Sequence, residues 1–162
     1  MHIILHQPEI PHNTGAIGRT CVATNTSLHL IEPLGFRINA KELKRAGMDY
    51  WNNLDVTRYI NFEDFKEKHP GAVIWKATTK AKRCYTDVSF GSDDFIMFGK
   101  ESAGIPEELL VQDEAHCIRI PMGHNIRSLN LANSVSIVLY EALRQHNFEG
   151  LEEQGELHRL SW

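Results

Sequence analysis

The chain has 162 residues, close to one domain at about 150 residues each. Its 42% apolar and 23% charged composition excludes a disordered tail, a collagen-like repeat and a coiled coil. The 17 basic and 21 acidic residues give a net charge of −4 and a pI near 6.1, so bulk charge does not point to a nucleic-acid partner. Cys21, Cys84 and Cys117 are odd in number and form no CxxC pair, which leaves no disulfide framework or zinc ribbon and predicts free thiols in a reducing compartment.

The N-terminal run from His2 to His6 predicts a short buried strand over 3–6, stopped by Pro8 and Pro11. It has no basic n-region and no cleavage site, so no signal peptide is expected. No apolar run reaches the roughly 18 residues of a membrane span, and the cytoplasm is the expected address. Asn13 or Thr14 is expected to cap a helix reaching about Thr24. A strand over 28–31 follows, then a short basic helix over 40–46 and a strand over 56–60. Asn61, with Asp64 three residues on, predicts a capped helix through His69, ended by Pro70-Gly71. Strands are predicted over 72–77 and 94–98, a helix over 106–111 with proline in its first turn, and a last strand over 116–120. A long helix from about Ser128 to His146 closes the chain, with Gly150 just beyond it.

Strands alternating with helices predict a single α/β domain over 1–162, with a mostly parallel sheet covered on both faces. In such sheets ligands bind beyond the carboxyl ends of the strands. Three loops fall there: 7–15, 99–106 and 121–128. The loop Gly99-Lys100-Glu101-Ser102-Ala103-Gly104 lacks the Gly-Lys-Ser/Thr of a P-loop, and no GxGxxG fingerprint occurs anywhere. The first loop leads into a helix N-terminus, a ready anion site, with Arg19 about one and a half turns inside. Nine histidines show no helical HxxxH or HExxH pair; His2 and His6 are four apart in a strand-like run. No metal site is expected. In the final helix Leu131, Val135, Val138, Leu139 and Ala142 form a core stripe, and Ile137 and Leu143 extend apolar surface around it. That surface fits either a second copy of the chain or the C-terminal tail.

The string Pro8-Glu9-Ile10-Pro11-x-Asn13-Thr14-Gly15-x-Ile17-x-Arg19, the loop Phe98-Gly99-x-Glu101-Ser102-x-Gly104-Ile105-Pro106, and the stretch Ile120-Pro121-Met122 with Arg127-Ser128-Leu129-Asn130-Leu131-Ala132 together resemble the three motifs of the SPOUT methyltransferases, in order and spacing. Lys44-Arg45-Ala46-Gly47-Met48-Asp49-Tyr50-Trp51 resembles the TrmL (YibK-like) tRNA wobble-nucleotide 2′-O-methyltransferases within that class. The resemblance covers essentially the whole chain, with no separate RNA-binding domain. Lys100 departs from it, standing where many relatives have proline or another small residue.

The resemblance implies an α/β fold with a C-terminal trefoil knot, a topology that pattern rules alone would not propose. It implies S-adenosylmethionine as methyl donor, with S-adenosylhomocysteine as product and no metal. The donor would be held by Ala77, Thr78, Gly99, Gly104, Ile120, Met122, Ser128 and Leu129. It implies a homodimer acting on the 2′-oxygen of cytidine or uridine 34 in a tRNA anticodon stem–loop, as in leucine tRNAs. By analogy Arg19 acts near the 2′-hydroxyl, Asn13 orients Arg19 or the ribose, and Glu101 sets the electrostatics beside the cationic donor. Ser128 and Asn130 position donor and ribose. Tyr140 matches a position needed for activity, or packs at the dimer interface. Another tRNA or rRNA position, and a non-enzymatic RNA-binding role on the same fold, are the alternatives.

RNA contacts are expected from local basic clusters. Lys76, Lys80, Lys82 and Arg83 have no acid between them in sequence, and Arg37, Lys41, Lys44 and Arg45 face only Glu42. Arg45, Lys80, Lys82 and Arg83 are the expected RNA-binding residues. Residues 101–114 and 149–156 carry acids and no base, so the rest of the chain is net basic despite the bulk count.

Overall fold

A computed structural model describes residues 1–37 and 49–162. The helix expected over 40–46, and with it Arg45, lies outside the described residues. Seven strands form one sheet: β1 (His2–His6), β2 (Ser27–Ile31), β3 (Val56–Tyr59), β4 (Ile74–Ala77), β5 (Arg83–Cys84), β6 (Phe95–Phe98) and β7 (Cys117–Arg119). Every pairing between them is parallel, in the order β3-β2-β1-β6-β4-β7-β5. The strands read as near-continuous apolar runs because both faces are covered.

Alternation along β1 divides the core. Ile3 and Leu5 pack with Ile17 and Cys21 of helix α1 (Pro11–Ala23) and with Val135, Val138 and Leu139 of helix α4 (Leu131–Gln145). Ile4 faces the other side, with Phe62 and Phe65 of helix α2 (Phe62–Lys68) and Leu110 of helix α3 (Glu107–Val111). Asn61 caps α2 as expected, accepting from the Asp64 amide at 2.8 Å. The Asp64 carboxylate returns to the Ile60 amide at 3.2 Å rather than to that of Asn61.

Three helix starts differ from expectation. Helix α1 starts at Pro11, because proline suits a first helical position whose amide would go unbonded. Asn13 and Thr14 therefore lie inside its first turn and cap nothing, and Arg19 sits a little over two turns in. Helix α4 begins at Leu131, not near Ser128. The Asn130 side chain accepts from the amides of Ala132 at 2.9 Å and Asn133 at 3.3 Å, which ends the preceding loop. Pro106 precedes α3 as its cap residue instead of lying in its first turn.

On the α2 side, His2 Nδ1 lies 3.2 Å from His29 Nε2, and His29 Nδ1 lies 2.9 Å from the Tyr59 hydroxyl. That hydroxyl lies 2.8 Å from His69 Nε2. Burial, reinforced by the neighbouring His2 and His69, pushes the His29 imidazole down to about 4 from its ordinary 6.5. Between those values the unfolded chain takes up a proton that the folded chain refuses, so stability is full above pH 6.5 and falls as pH drops towards 4. The expected loss is about 2–3 kcal/mol. It is read from urea midpoints at neutral and acid pH, and should shrink in His29→Gln.

Candidate active site

The chain leaves β1 towards β2 and β3 on one side of the sheet and returns to β6 and β4 on the other. Loops at such a switch point diverge and leave a crevice. The loops after β1, β4, β6 and β7 enclose a cleft of about 710 Å³ there, within the roughly 300–1,000 Å³ of small-molecule sites.

All eight residues expected to hold the donor line this cleft: Ala77, Thr78, Gly99, Gly104, Ile120, Met122, Ser128 and Leu129. Asn13, Glu101, Asn130 and Lys80 line it too. Arg19 and Tyr140 do not. Arg19 is exposed on another face of α1 from Asn13, and Tyr140 is exposed on the outer side of α4. Lys82 and Arg83 lie outside the cleft, beyond Lys80. Sequence reasoning assigned no role to Ile10, Thr79, Lys100, Ser102, Arg127 or Ser134, which also line it. Most of them stand inside the motif strings, and their neighbours were the signal.

Two carboxylates lock the first and second loops together. Glu101 accepts from the Glu9 amide at 2.8 Å, the Ile10 amide at 3.3 Å and Asn13 Nδ2 at 2.9 Å. In return Glu9 accepts from the Ser102 amide and hydroxyl, both at 2.9 Å. These bonds, and more weakly the Lys100 charge, hold the Glu9 carboxyl below its usual range. The start of α1, expected to be an open anion site, is thus answered by the chain's own Glu101. Asn13 is buried, and its Oδ1 accepts from Asn130 Nδ2 at 3.0 Å. A continuous path Glu101–Asn13–Asn130 runs to the cap of α4 and ties all three motifs. Asn13 therefore orients Asn130. Glu9→Ala removes both acceptors for Ser102. It is expected to lower the urea midpoint and to speed amide exchange over residues 100–104 in hydrogen–deuterium exchange.

The basic cluster differs from its reading in sequence. Lys76 is buried and pairs with Asp113 at 2.8 Å. Lys80 pairs with Glu107 at 2.7 Å and Lys82 with Glu114 at 2.8 Å. Arg83 donates to the Ala115 carbonyl at 3.1 Å. Strand β7 pairs with both β4 and β5, which lays the acid-rich segment before it against this strip. Lys76 is a core residue, and the other three carry a much weaker net field than a local count gives. The Lys80 and Lys82 pairs are exposed, and such pairs contribute little, so an incoming anion can compete for them.

Residues 1–140 match the model of the SpoU rRNA Methylase family. The chain belongs to that family. This SpoU chain is 45% identical over 149 residues to the tRNA (cytidine(34)-2'-O)-methyltransferase of Methylovorus glucosotrophus, covering 91% of this chain and 97% of the relative. A solved structure reported for the 2-OH methylation of C/U34 on tRNA superposes with a TM-score of 0.85 at 41% identity, covering 90% of this chain and 95% of that one. An AdoMet-bound rRNA methyltransferase from Sinorhizobium meliloti superposes with a TM-score of 0.77 at 28% identity, covering 88% of the SpoU chain and 55% of that one.

Proposed function

We propose that this chain transfers the methyl group of S-adenosylmethionine to the ribose 2′-oxygen of cytidine or uridine 34 in a tRNA, with leucine tRNAs as the first candidates. One observation carries the reading: the three motif loops meet in a single cleft and are joined through Glu101, Asn13 and Asn130. The relatives that share nearly the full length support the wobble position.

The cleft suits this donor. Phe98, Ile120, Met122 and Leu129 offer apolar surface to a flat base, and the main chain around Gly99 and Gly104 offers polar groups to its edge. When bound, the donor supplies a methyl group activated by a sulfonium. The protein's task is then to align a weak nucleophile and help it lose a proton. Ser128 and Asn130 position the ribose at the cleft mouth. Asn13 fixes the Asn130 amide, and Glu101 fixes Asn13. The Glu101 oxygens are occupied by three donors, so Glu101 shapes the site and does not collect the proton.

Arg19 supports the developing alkoxide from a second copy of the chain. Helices α1 and α4 pack side by side, and their shared outer surface exposes Arg19, Ile137 and Tyr140. A homodimer over this surface buries Ile137 and Tyr140 and brings Arg19 towards the partner's cleft. In this reading the C-terminal segment threads a loop as a trefoil knot, the product is S-adenosylhomocysteine, and the enzyme works in the cytoplasm. Mass spectrometry of position-34 nucleosides, in tRNA from cells with and without this chain, tests it. Loss of the 2′-O-methyl group without the chain is expected, and persistence of the modification counts against the proposal.

A further inference from the structure

We propose that Lys100 and Arg127 form a phosphate clamp on the rim of the cleft, taking the RNA backbone beside the ribose to be methylated. The inference rests on the methyl-transfer reading and names the residues that grip its second substrate.

Charge pairing is where the proposal starts. The cations of the strip expected to meet RNA are engaged: Lys76, Lys80 and Lys82 with carboxylates, Arg83 with a carbonyl. Lys100 and Arg127 both line the cleft, from the loops after β6 and β7. Among the described residues neither side chain makes an ion pair or a hydrogen bond. The nearby carboxylates are already satisfied, Glu9 by Ser102 and Glu101 by Glu9, Ile10 and Asn13. The cleft thus presents two cations held by no ion pair among the described residues, in the place assigned to a cationic sulfonium donor. An anion arriving with the other substrate can engage both side chains.

A ribose in an RNA strand carries a phosphate on either side, so a 2′-oxygen cannot enter the cleft without bringing phosphates to its rim. Arg127 can fork onto two phosphate oxygens, and Lys100 supplies a flexible point charge. Such contacts set register and orientation, not base identity.

The test uses the full chain and a short anticodon stem–loop RNA, with binding followed by fluorescence anisotropy across a salt series. Each neutralised phosphate adds about 0.7–0.9 to the slope of log affinity against log salt. The double variant Lys100→Gln/Arg127→Gln should bind roughly tenfold or more weakly at low salt, with a slope shallower by about 1.4–1.8. Lys100→Arg should keep the wild-type slope. Lys66→Gln, whose lysine pairs with Glu63 on α2, should change neither quantity. Wild-type affinity and slope in the double variant would overturn the clamp. So would weaker S-adenosylmethionine binding with an unchanged RNA slope, which would place the two cations on the donor's carboxylate. If wild type prefers no anticodon stem–loop over an unrelated hairpin, the wobble reading fails, and the slope comparison on either RNA still decides the clamp.

Discussion

Gly99→Ala is expected to destroy the cleft. A Cβ at this position would overlap the Gly104 carbonyl carbon and the Ile105 nitrogen. These are main-chain atoms, so no side-chain rotation relieves the overlap. The Gly104 amide donates to the Lys100 carbonyl at 2.8 Å, and Gly104 itself sits at φ +73°, a conformation that favours glycine. Opening this turn would pull on Ile105, which is 2% exposed in the core. The expected cost is about 3 kcal/mol or more, with loss of measurable S-adenosylmethionine binding. Chemical denaturation and calorimetry read the two effects. Gly123→Ala is the matched comparison, because a Cβ there meets nothing within 4 Å. Equal stability and donor affinity in the two variants would show that the close approach at Gly99 is dispensable.

Arg19→Ala is expected to leave donor binding near wild type, since Arg19 does not line the cleft, and to reduce methyl transfer about 100-fold or more. If Arg19 serves the partner's cleft, mixing Arg19→Ala chains with Asn13→Ala chains restores activity. In the mixed dimer one cleft keeps Asn13 and receives Arg19 from the other chain. If Arg19 serves its own cleft, every site in the mixture lacks one of the two residues and activity stays lost. Single-turnover transfer by pure and mixed dimers separates the cases.

The order of elements was legible because buried parallel strands are apolar runs and the breakers between them are prolines and glycines. Asn61 and Asp64 marked the start of α2 by side-chain chemistry alone. Strand β5 was missed, since two residues, Arg83 and Cys84, carry no period. The start of α1 was misplaced because Asn13 and Thr14 are good caps. Here Asn13 is drawn to Glu101 and Asn130, partners 88 and 117 residues away in the chain.

Charge was the least legible property. Lys82 meets Glu114 across 32 residues, a separation no local count can see. The parallel pairing of β7 with β4 and β5 folds the acidic stretch back onto the basic one. The net charge of −4 thus conceals two arrangements: a strip whose lysines are held in ion pairs, and a cleft rim whose Lys100 and Arg127 form none among the described residues. The three loops around the cleft were readable because each follows a strand, and the sheet order brings those strand ends together; the individual lining residues were expected from the resemblance.

The central claim is tested most directly by incubating purified protein with unmodified tRNA and S-adenosylmethionine carrying an isotopically labelled methyl group, then locating the label by mass spectrometry of nuclease fragments. The account predicts label on the ribose 2′-oxygen of nucleotide 34. Label on a base, label on another nucleotide, or an unlabelled tRNA would contradict it.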